Sequence, residues 1–303
     1  MIGGFALGRQ SPLVLLLIAA FLYGGVFPVN RLAAEAGWPP AAFALMPALL
    51  GGLLLAAWVF ARGEPLSLAP QALGAYVLIG GLVIGIPFAI LVAAAQHLPA
   101  STLTLVLCLS PILTLFIAAV TGSERFDRRI LSGMLLGTAG IALIVWPDSG
   151  VIPAGGARWF LIALCAPVMF AFANNCAAWL RPPAASNAGM AAGTLLGGAC
   201  VAAVVTLLMG ASFWPAETSG QQILPLTLAT LINASHLWLF FFIVRSIGPA
   251  RFSIFNYFAV VAGILWSMVV FQEIPSPLFW IAATLMLVGM HFALRRDTQR
   301  AVS

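Results

Sequence analysis

Two stretches of this chain resemble each other: residues 95–124, AQHLPASTLTLVLCLSPILTLFIAAVTGSE, and residues 245–273, RSIGPARFSIFNYFAVVAGILWSMVVFQE. The two copies share a proline near the start and a glutamate at the end, Pro99 with Pro249 and Glu124 with Glu273. If each copy belongs to a unit with an odd number of membrane spans, the second unit must enter the membrane from the opposite side. Inverted repeats of this kind are typical of secondary transporters.

The composition of the chain indicates a membrane protein. Hydrophobic residues make up 62% of the 303 residues and charged residues only 7%, whereas soluble domains carry about 25% charged residues. A bilayer is spanned by helices of about 20 apolar residues, because lipid offers no partners to an open backbone. We therefore predict an all-α integral membrane protein with ten transmembrane helices, arranged as two inverted five-helix repeats at residues 1–149 and 150–303. The predicted spans lie near 12–34, 40–60, 71–95, 100–121, 130–146, 157–180, 188–210, 222–246, 250–271 and 277–294.

The basic residues predict how the chain is oriented. All 13 are arginines, and all except Arg31 and Arg158 fall on one side of a ten-span topology. Since cytoplasmic loops carry the excess of positive charge, we expect both termini in the cytoplasm. The arginines stand singly between apolar runs, which argues against nucleic-acid binding.

Cysteine and tryptophan residues fit the same picture. The cysteines lie inside apolar runs without zinc-type spacing, so we expect reduced wall residues and no metal or cofactor; they are Cys108, Cys165, Cys176 and Cys200. Tryptophans fall at predicted span ends and are interpreted as interfacial anchors: Trp38, Trp58, Trp146, Trp159, Trp179 and Trp214.

Glycines spaced four residues apart allow close helix packing. Such series run from Gly81 to Gly85, from Gly133 to Gly137 and from Gly189 to Gly197. We expect them to pack helices within one chain that works as a monomer, with a homodimer as the alternative.

Several motifs, in their order and repetition, resemble a known family. Leu98-Pro99-Ala100 and Gly248-Pro249-Ala250 open the fourth and ninth spans, and a glycine-rich helix follows each matched glutamate, Gly133 to Gly140 and Leu285 to Gly289. The first span contains Tyr23-Gly24-Gly25-Val26-Phe27-Pro28-Val29-Asn30. Together these resemble the drug/metabolite transporter superfamily in its ten-helix exporter branch, and the aromatic-rich form is similar to bacterial aromatic amino-acid exporters. The resemblance implies a bacterial inner-membrane protein with a central cavity, alternating access and export of amino acids or similar metabolites.

Polar and aromatic residues within the spans are the candidate binding residues, because polar groups at membrane depth usually face the protein interior or water. The predicted substrate-binding residues are Tyr23, Phe27, Asn174, Asn175, Asn233, His236, Trp238, Asn256, Tyr257 and Trp266. The alternative is that the amides and rings hold helices together by hydrogen bonds and packing. The prolines Pro99, Pro111 and Pro249 are predicted to bend or tilt gating helices.

The predicted function is export of small neutral metabolites, most of all amino acids including aromatic or large neutral ones. No Asp or Glu maps to the middle of a span, and proton-driven carriers often use such a carboxylate; we therefore predict facilitative transport. A multidrug or lipophilic-cation exporter is the alternative within transport. An intramembrane enzyme is disfavoured because no Gly-x-Ser-x-Gly, His-Glu-x-x-His or paired intramembrane Asp is present. A scaffold is disfavoured because an inverted repeat has little use there. The expected partners are a small solute and the lipid bilayer.

Overall fold

The computed structural model describes residues 12–123, 128–146, 150–180, 186–216, 220–247 and 249–294, and these residues form helices joined by short turns. The helices, in chain order, are α1 (Pro12–Gly24), α2 (Val26–Glu35), α3 (Pro40–Ala61), α4 (Pro70–Gly80), a π-helical turn (Gly81–Gly85), α5 (Ile86–Ala95), α6 (Ala100–Val106), α7 (Leu109–Val120), α8 (Arg128–Val145), α9 (Ala157–Ala163), α10 (Cys165–Trp179), α11 (Asn187–Leu208), α12 (Ile223–Ile247), α13 (Pro249–Phe271) and α14 (Pro277–Leu294).

The described helices are long and apolar enough for a multi-pass membrane protein. Nine of them, counting broken helices as one, can cross a bilayer by length and composition, and α13 contributes a shorter apolar stretch, Tyr257–Phe271, at the position predicted for the ninth span. Large apolar side chains point away from the protein: Phe60 is 89% exposed and Leu208 82% exposed. Such a surface needs lipid around it. The prediction of an all-α integral membrane protein is confirmed.

Four of the spans are broken, and each break lies a few residues before a proline. α1 gives way to α2 ahead of Pro28, the π-helical turn precedes Pro87, α6 gives way to α7 ahead of Pro111, and α9 gives way to α10 ahead of Pro167. Proline has no N–H for the carbonyl four residues earlier, and its ring collides with that carbonyl. The first, third, fourth and sixth spans are therefore bent where the sequence places proline. The ninth span, α13, has no internal proline and is continuous.

Glycine allows the closest helix contacts in the bundle. A Cβ added to Gly197 in α11 would lie 2.2 Å from the backbone oxygen of Tyr76 in α4. A Cβ added to Gly133 in α8 would lie 2.7 Å from the Cβ of Ala293 in α14. Only a hydrogen atom fits at such distances, so these glycines join the third span to the seventh and the fifth to the tenth. The predicted packing of glycine series within one chain is confirmed at these positions.

The two ends of the bundle differ in how tightly the helices enclose their side chains. We call them the Glu273 end, where α2 and α13 finish and α6 begins, and the Arg62 end, where α3 finishes and α11 begins. Toward the Glu273 end, every residue of 24–30 and of α6 is buried. Toward the Arg62 end, residues 113–117 of α7 are partly exposed all around the helix. In the fourth span, therefore, the half toward the Glu273 end is enclosed and the half toward the Arg62 end is partly exposed.

One tryptophan prediction is wrong. Trp38 is only 1% exposed, and its ring contacts Trp214 with centroids 4.8 Å apart. Its indole Nε1 donates a hydrogen bond to the backbone oxygen of Gln222 at 3.2 Å, which satisfies a buried donor. Trp38 therefore belongs to the protein core, whereas Trp58 and Trp146 are 48% and 66% exposed, as expected of interfacial anchors.

Candidate functional site

An aromatic cluster lies midway along the first and eighth spans. The rings of Tyr23 in α1 and His236 in α12 stack with centroids 4.0 Å apart and planes 28° from parallel. Phe255 in α13 lies 5.7 Å from Tyr23 and 5.2 Å from His236. Phe27, one turn further along the first span, meets Tyr23 edge to face at 6.4 Å. The cluster therefore joins three spans, and the sequence prediction that Tyr23, Phe27 and His236 meet is matched by their positions.

The central pair of this cluster combines partly exposed rings with one buried polar atom. Tyr23 and His236 each have an intermediate exposure. The Nδ1 atom of His236 is buried and has no hydrogen-bond partner among the described residues. A neutral imidazole nitrogen can donate or accept one hydrogen bond, so the hydrogen-bonding capacity of this atom is unused.

Asn233 stands one turn before His236 in α12, on the same face of the helix, and is 7% exposed. It extends the polar side of this face toward the Glu273 end. Phe240 lies one turn after His236, and the centroids of the two rings are 6.3 Å apart. Sequence reasoning missed Phe240 and Phe255, because two phenylalanines among 21 carry no signal that separates members of this cluster from the ordinary core.

Asn174 and Asn175 both bind the fourth span rather than the aromatic cluster. Asn175 is buried, and its amide donates to the backbone oxygens of Thr114 at 3.2 Å and Ala171 at 2.9 Å. Asn174 is exposed, and its amide donates to the hydroxyl of Thr114 at 3.2 Å. Asn175 therefore holds α10 against α7. Asn174 lies at the edge of the looser region near the Arg62 end.

Three other predicted residues lie against different neighbours. Trp238 stacks on Phe242 at 5.7 Å. Tyr257 packs with the cluster of α7 and α14 side chains that includes Ile112 and Met290. The indole Nε1 of Trp266 donates to the backbone oxygen of Phe21 at 3.0 Å, so that it ties α13 to α1. The structure does not bring these three rings to Tyr23, and their binding roles stay predictions.

The predicted gating residues lie at helix starts and at one break. Pro99 precedes α6, Pro249 is the first residue of α13, and Pro111 lies in the first turn of α7, just after the break in the fourth span. Glu124 and the side chains of Asn256 and Pro249 lie outside the described part of the structure. A gating role for the prolines stays a prediction.

Sequence reasoning singled out Glu273 as a motif residue but missed its partners. Its carboxylate forms an ion pair with Arg31 of α2. The same carboxylate accepts hydrogen bonds from the backbone N–H groups of Ala100 at 3.1 Å and Ser101 at 3.2 Å, and from the Ser101 hydroxyl at 2.5 Å. These contacts connect residues more than 170 positions apart in the chain, a distance that sequence patterns cannot bridge.

Comparison with known proteins agrees with this architecture. Residues 10–146 match the EamA-like transporter family. Over 283 residues the chain is 25% identical to the "uncharacterized inner membrane transporter YedA" of Escherichia coli K12, covering 89% of this chain and 87% of that protein, with the same values for the O157:H7 form. A solved crystal structure matches with a TM-score of 0.65 and 21% identity over 94% of this chain and 97% of the other. That likeness shows the same overall fold.

Proposed function

We propose that this chain, whose residues 10–146 match the EamA-like transporter family, exports small neutral metabolites, above all amino acids with aromatic or large apolar side chains. Its relatives in Escherichia coli are named as inner membrane transporters, and we place this chain in a bacterial inner membrane. The proposal depends most on one observation, the stacking of Tyr23 on His236 within the helix bundle, where the Nδ1 atom of His236 is buried without a partner among the described residues.

The aromatic cluster suits a solute with a flat or bulky apolar group. Ring faces stack on aromatic side chains, and the unpartnered Nδ1 of His236 offers a hydrogen bond to an ammonium or carboxylate group. Ligand sites of this kind are mostly apolar, with a few polar atoms that fix orientation. A small neutral amino acid with an aromatic side chain combines these features.

Alternating access accounts for the difference in burial between α6 and α7. From the arginine distribution we place the Glu273 end at the outer face of the membrane, and we propose that a solute enters from the cytoplasmic side. A solute would enter past the partly exposed residues of α7 and α12, reach Tyr23 and His236, and leave after the Glu273 end opens. The proline-associated breaks in the first, third, fourth and sixth spans supply bending points for this change.

Helix contacts support the inverted repeat that such a cycle uses. α1 packs on α13, and α10 packs on α7; α3 packs on α12, and α11 packs on α4. If the first five spans correspond in order to the last five, the α1–α13 pair corresponds to the α10–α7 pair, and the α3–α12 pair corresponds to the α11–α4 pair. The correspondence remains a prediction, and it gives the two ends equivalent parts that can open in turn.

A counterflow screen tests the proposal. Purified full-length protein in liposomes is loaded in turn with phenylalanine, tryptophan, leucine, a lipophilic cation and a nucleotide sugar. We expect exchange of the aromatic and large neutral amino acids, and we expect Tyr23→Ala to slow it by about tenfold, equivalent to about 1.4 kcal/mol. Phe60→Ala, which removes an aromatic ring from the outer surface, is the control and should exchange at the wild-type rate. Absence of amino-acid exchange in the wild-type protein would contradict the proposal.

The same liposomes are used to measure net uptake of the solute with and without a pH gradient. We expect little difference, because His236 is the only ionisable side chain of the aromatic cluster apart from a tyrosine. Strong dependence on the gradient, lost in His236→Phe, would show that transport is proton-coupled instead.

A lipophilic-cation exporter is the second candidate. The aromatic faces around Tyr23 favour it, since cations bind over ring faces. Carriers of cations also need a carboxylate near the site, whereas Glu273 is engaged by Arg31 at the end of the bundle. Exchange of the lipophilic cation without exchange of amino acids would establish this second candidate.

A further inference from the structure

The carboxylate of Glu273 connects three spans at the Glu273 end of the bundle. Its side chain is only 12% exposed. It bonds Arg31 of the first span and two backbone N–H groups and one hydroxyl in the first turn of α6, in the fourth span. Glu273 itself follows the ninth span. We call Arg31, Ala100, Ser101 and Glu273 the Glu273 lock.

The geometry of the contacts makes the lock strong and also reversible. Hydrogen bonds to a charged acceptor are about twice as strong as neutral ones, and the first N–H groups of a helix attract negative charge. The Arg31 guanidinium also lies over the ring of Phe271, 4.1 Å from its centroid. The lock stands at the end of the bundle, where water could take over each bond if the helices separated.

The backbone next to Glu273 is held in an uncommon conformation. Gln272 has a φ of 53°, and among the described residues it is the one non-glycine with positive φ. This left-handed conformation ends α13 at Phe271 and turns the chain toward α6. Left-handed geometry costs a residue with a side chain about 1–2 kcal/mol, so the contacts of Glu273 must compensate for it. Strain of this kind clusters at switch regions.

The lock covers the route between the aromatic cluster and the outside. Phe27 and Asn30 follow Tyr23 on one face of the first span, and both are almost completely buried, at 2% and 1% exposure. Arg31 comes immediately after them. Thr104, one turn along α6 from Ser101, is fully buried against the face of α13 that carries Gly263. A solute leaving Tyr23 toward the Glu273 end must part these helices.

We infer that the Glu273 lock holds the transport route closed at this end and that its opening is the exit step of the cycle. This inference rests on the proposed transport function for its purpose, but the lock itself can be examined without any substrate. The neighbouring residue Glu35 provides a matched comparison. It also pairs with Arg31, at 2.9 Å, but it is half exposed and makes no described bond to α6.

Cysteine labelling tests the lock directly. In a full-length background with the four natural cysteines replaced, Thr104→Cys places a thiol behind the lock, and Ile274→Cys places one on its exposed side, since Ile274 is 93% exposed. A membrane-impermeant maleimide is added to right-side-out or inside-out vesicles. The Ile274→Cys protein identifies the face at which the Glu273 end lies, and the Thr104→Cys protein is then labelled from that face.

We expect Thr104→Cys to be protected while the lock is intact. Adding Glu273→Ala should raise its labelling rate by about tenfold or more, and Glu273→Gln, which keeps an acceptor oxygen but loses the charge, should raise it less. Adding Glu35→Gln should leave it unchanged. If Glu273→Ala lowers the amount of folded protein, Ser101→Ala removes a single bond of the lock and should give a smaller increase.

The outcomes separate the lock from the transport function. If Thr104→Cys stays protected with Glu273→Ala and with Ser101→Ala, or if Glu35→Gln exposes it equally, the lock is wrong even when counterflow is normal. If labelling increases as expected but the wild-type protein exchanges none of the tested solutes, the lock stands and the proposed function is wrong. Accelerated labelling together with slowed counterflow supports both.

Discussion

The two ends of the bundle are built from similar apolar helices but are held together by different contacts. At the Glu273 end a carboxylate bonds two other spans, and the flanking residues 24–30 and 100–106 are all buried. At the Arg62 end the contacts between α7 and α10 are amide hydrogen bonds from Asn174 and Asn175, and α7 is partly exposed all around. The two ends therefore differ in two ways: in the burial of the helix segments and in the polar bonds that join the spans. The inferred lock assigns closure to the polar bonds of Glu273.

The looser region does not extend to every helix at the Arg62 end. α4 and α11 cross there with backbones in contact at Tyr76 and Gly197. We interpret this crossing as a rigid wall, against which α7 and α12 can move.

The largest expected effect comes from disturbing that wall. Gly197→Ala places a Cβ 2.2 Å from a backbone oxygen, which neither helix can avoid without separating. Overpacking of this kind costs about 1–3 kcal/mol or more, so the thermal midpoint of the purified protein in detergent should fall by several degrees. Gly74→Ala, at a position with open space around it, is the control and should leave the midpoint unchanged. An equal response of both variants would show that the wall is not rigid.

A smaller effect should separate the two asparagines at the looser end. Asn175→Ala removes one buried and one partly buried hydrogen bond and leaves the backbone oxygen of Thr114 without that donor, at a cost of about 1–3 kcal/mol. Asn174→Ala removes one exposed hydrogen bond and should change stability by less than about 0.5 kcal/mol, yet it should slow counterflow if the entrance lies there. The thermal midpoint and the counterflow rate are measured for both. Normal transport in Asn174→Ala would remove Asn174 from the route.

The smallest effect is expected at the Glu273 end, from relief of the backbone strain at Gln272. Gln272→Gly allows the positive φ without a side-chain clash and should stabilise the closed conformation by up to about 1 kcal/mol. Labelling of the Thr104→Cys protein from the Glu273 side should become slower still. Gln272→Ala keeps the clash and is the control. Faster labelling in Gln272→Gly would mean that the left-handed turn is not part of the closed state.

The membrane architecture follows from local features of the sequence. Apolar runs of span length, turn residues between them and the low charge all act over 20 residues or fewer, so they could be interpreted without knowing what packs on what. The helix breaks follow from local sequence only in part, because a proline weakens the helix before it, yet α3 continues through Pro47. Trp38 shows where such local reasoning fails. The sequence places it at the end of a span, but its burial depends on contacts with the distant residues Trp214 and Gln222.

The candidate site could be predicted only in part, for the same reason. Tyr23, Phe27 and His236 stand out as aromatic or polar residues within apolar spans, and the structure brings them together. Asn175 and Trp266 stand out equally, yet their donors are used to hold helices. An amide or indole that binds a solute and one that bonds a neighbouring helix have the same sequence signature, because both remove a polar group from lipid.

The sequence by itself determined that this chain is a bundle of apolar helices with repeated motifs. Each of these properties is set by residues close together in the chain. Only the tertiary structure decided that Arg31 and Ser101 share the carboxylate of Glu273 and that Phe255 completes the aromatic cluster. Those contacts join residues from distant spans, and their partners become neighbours only when the helices pack.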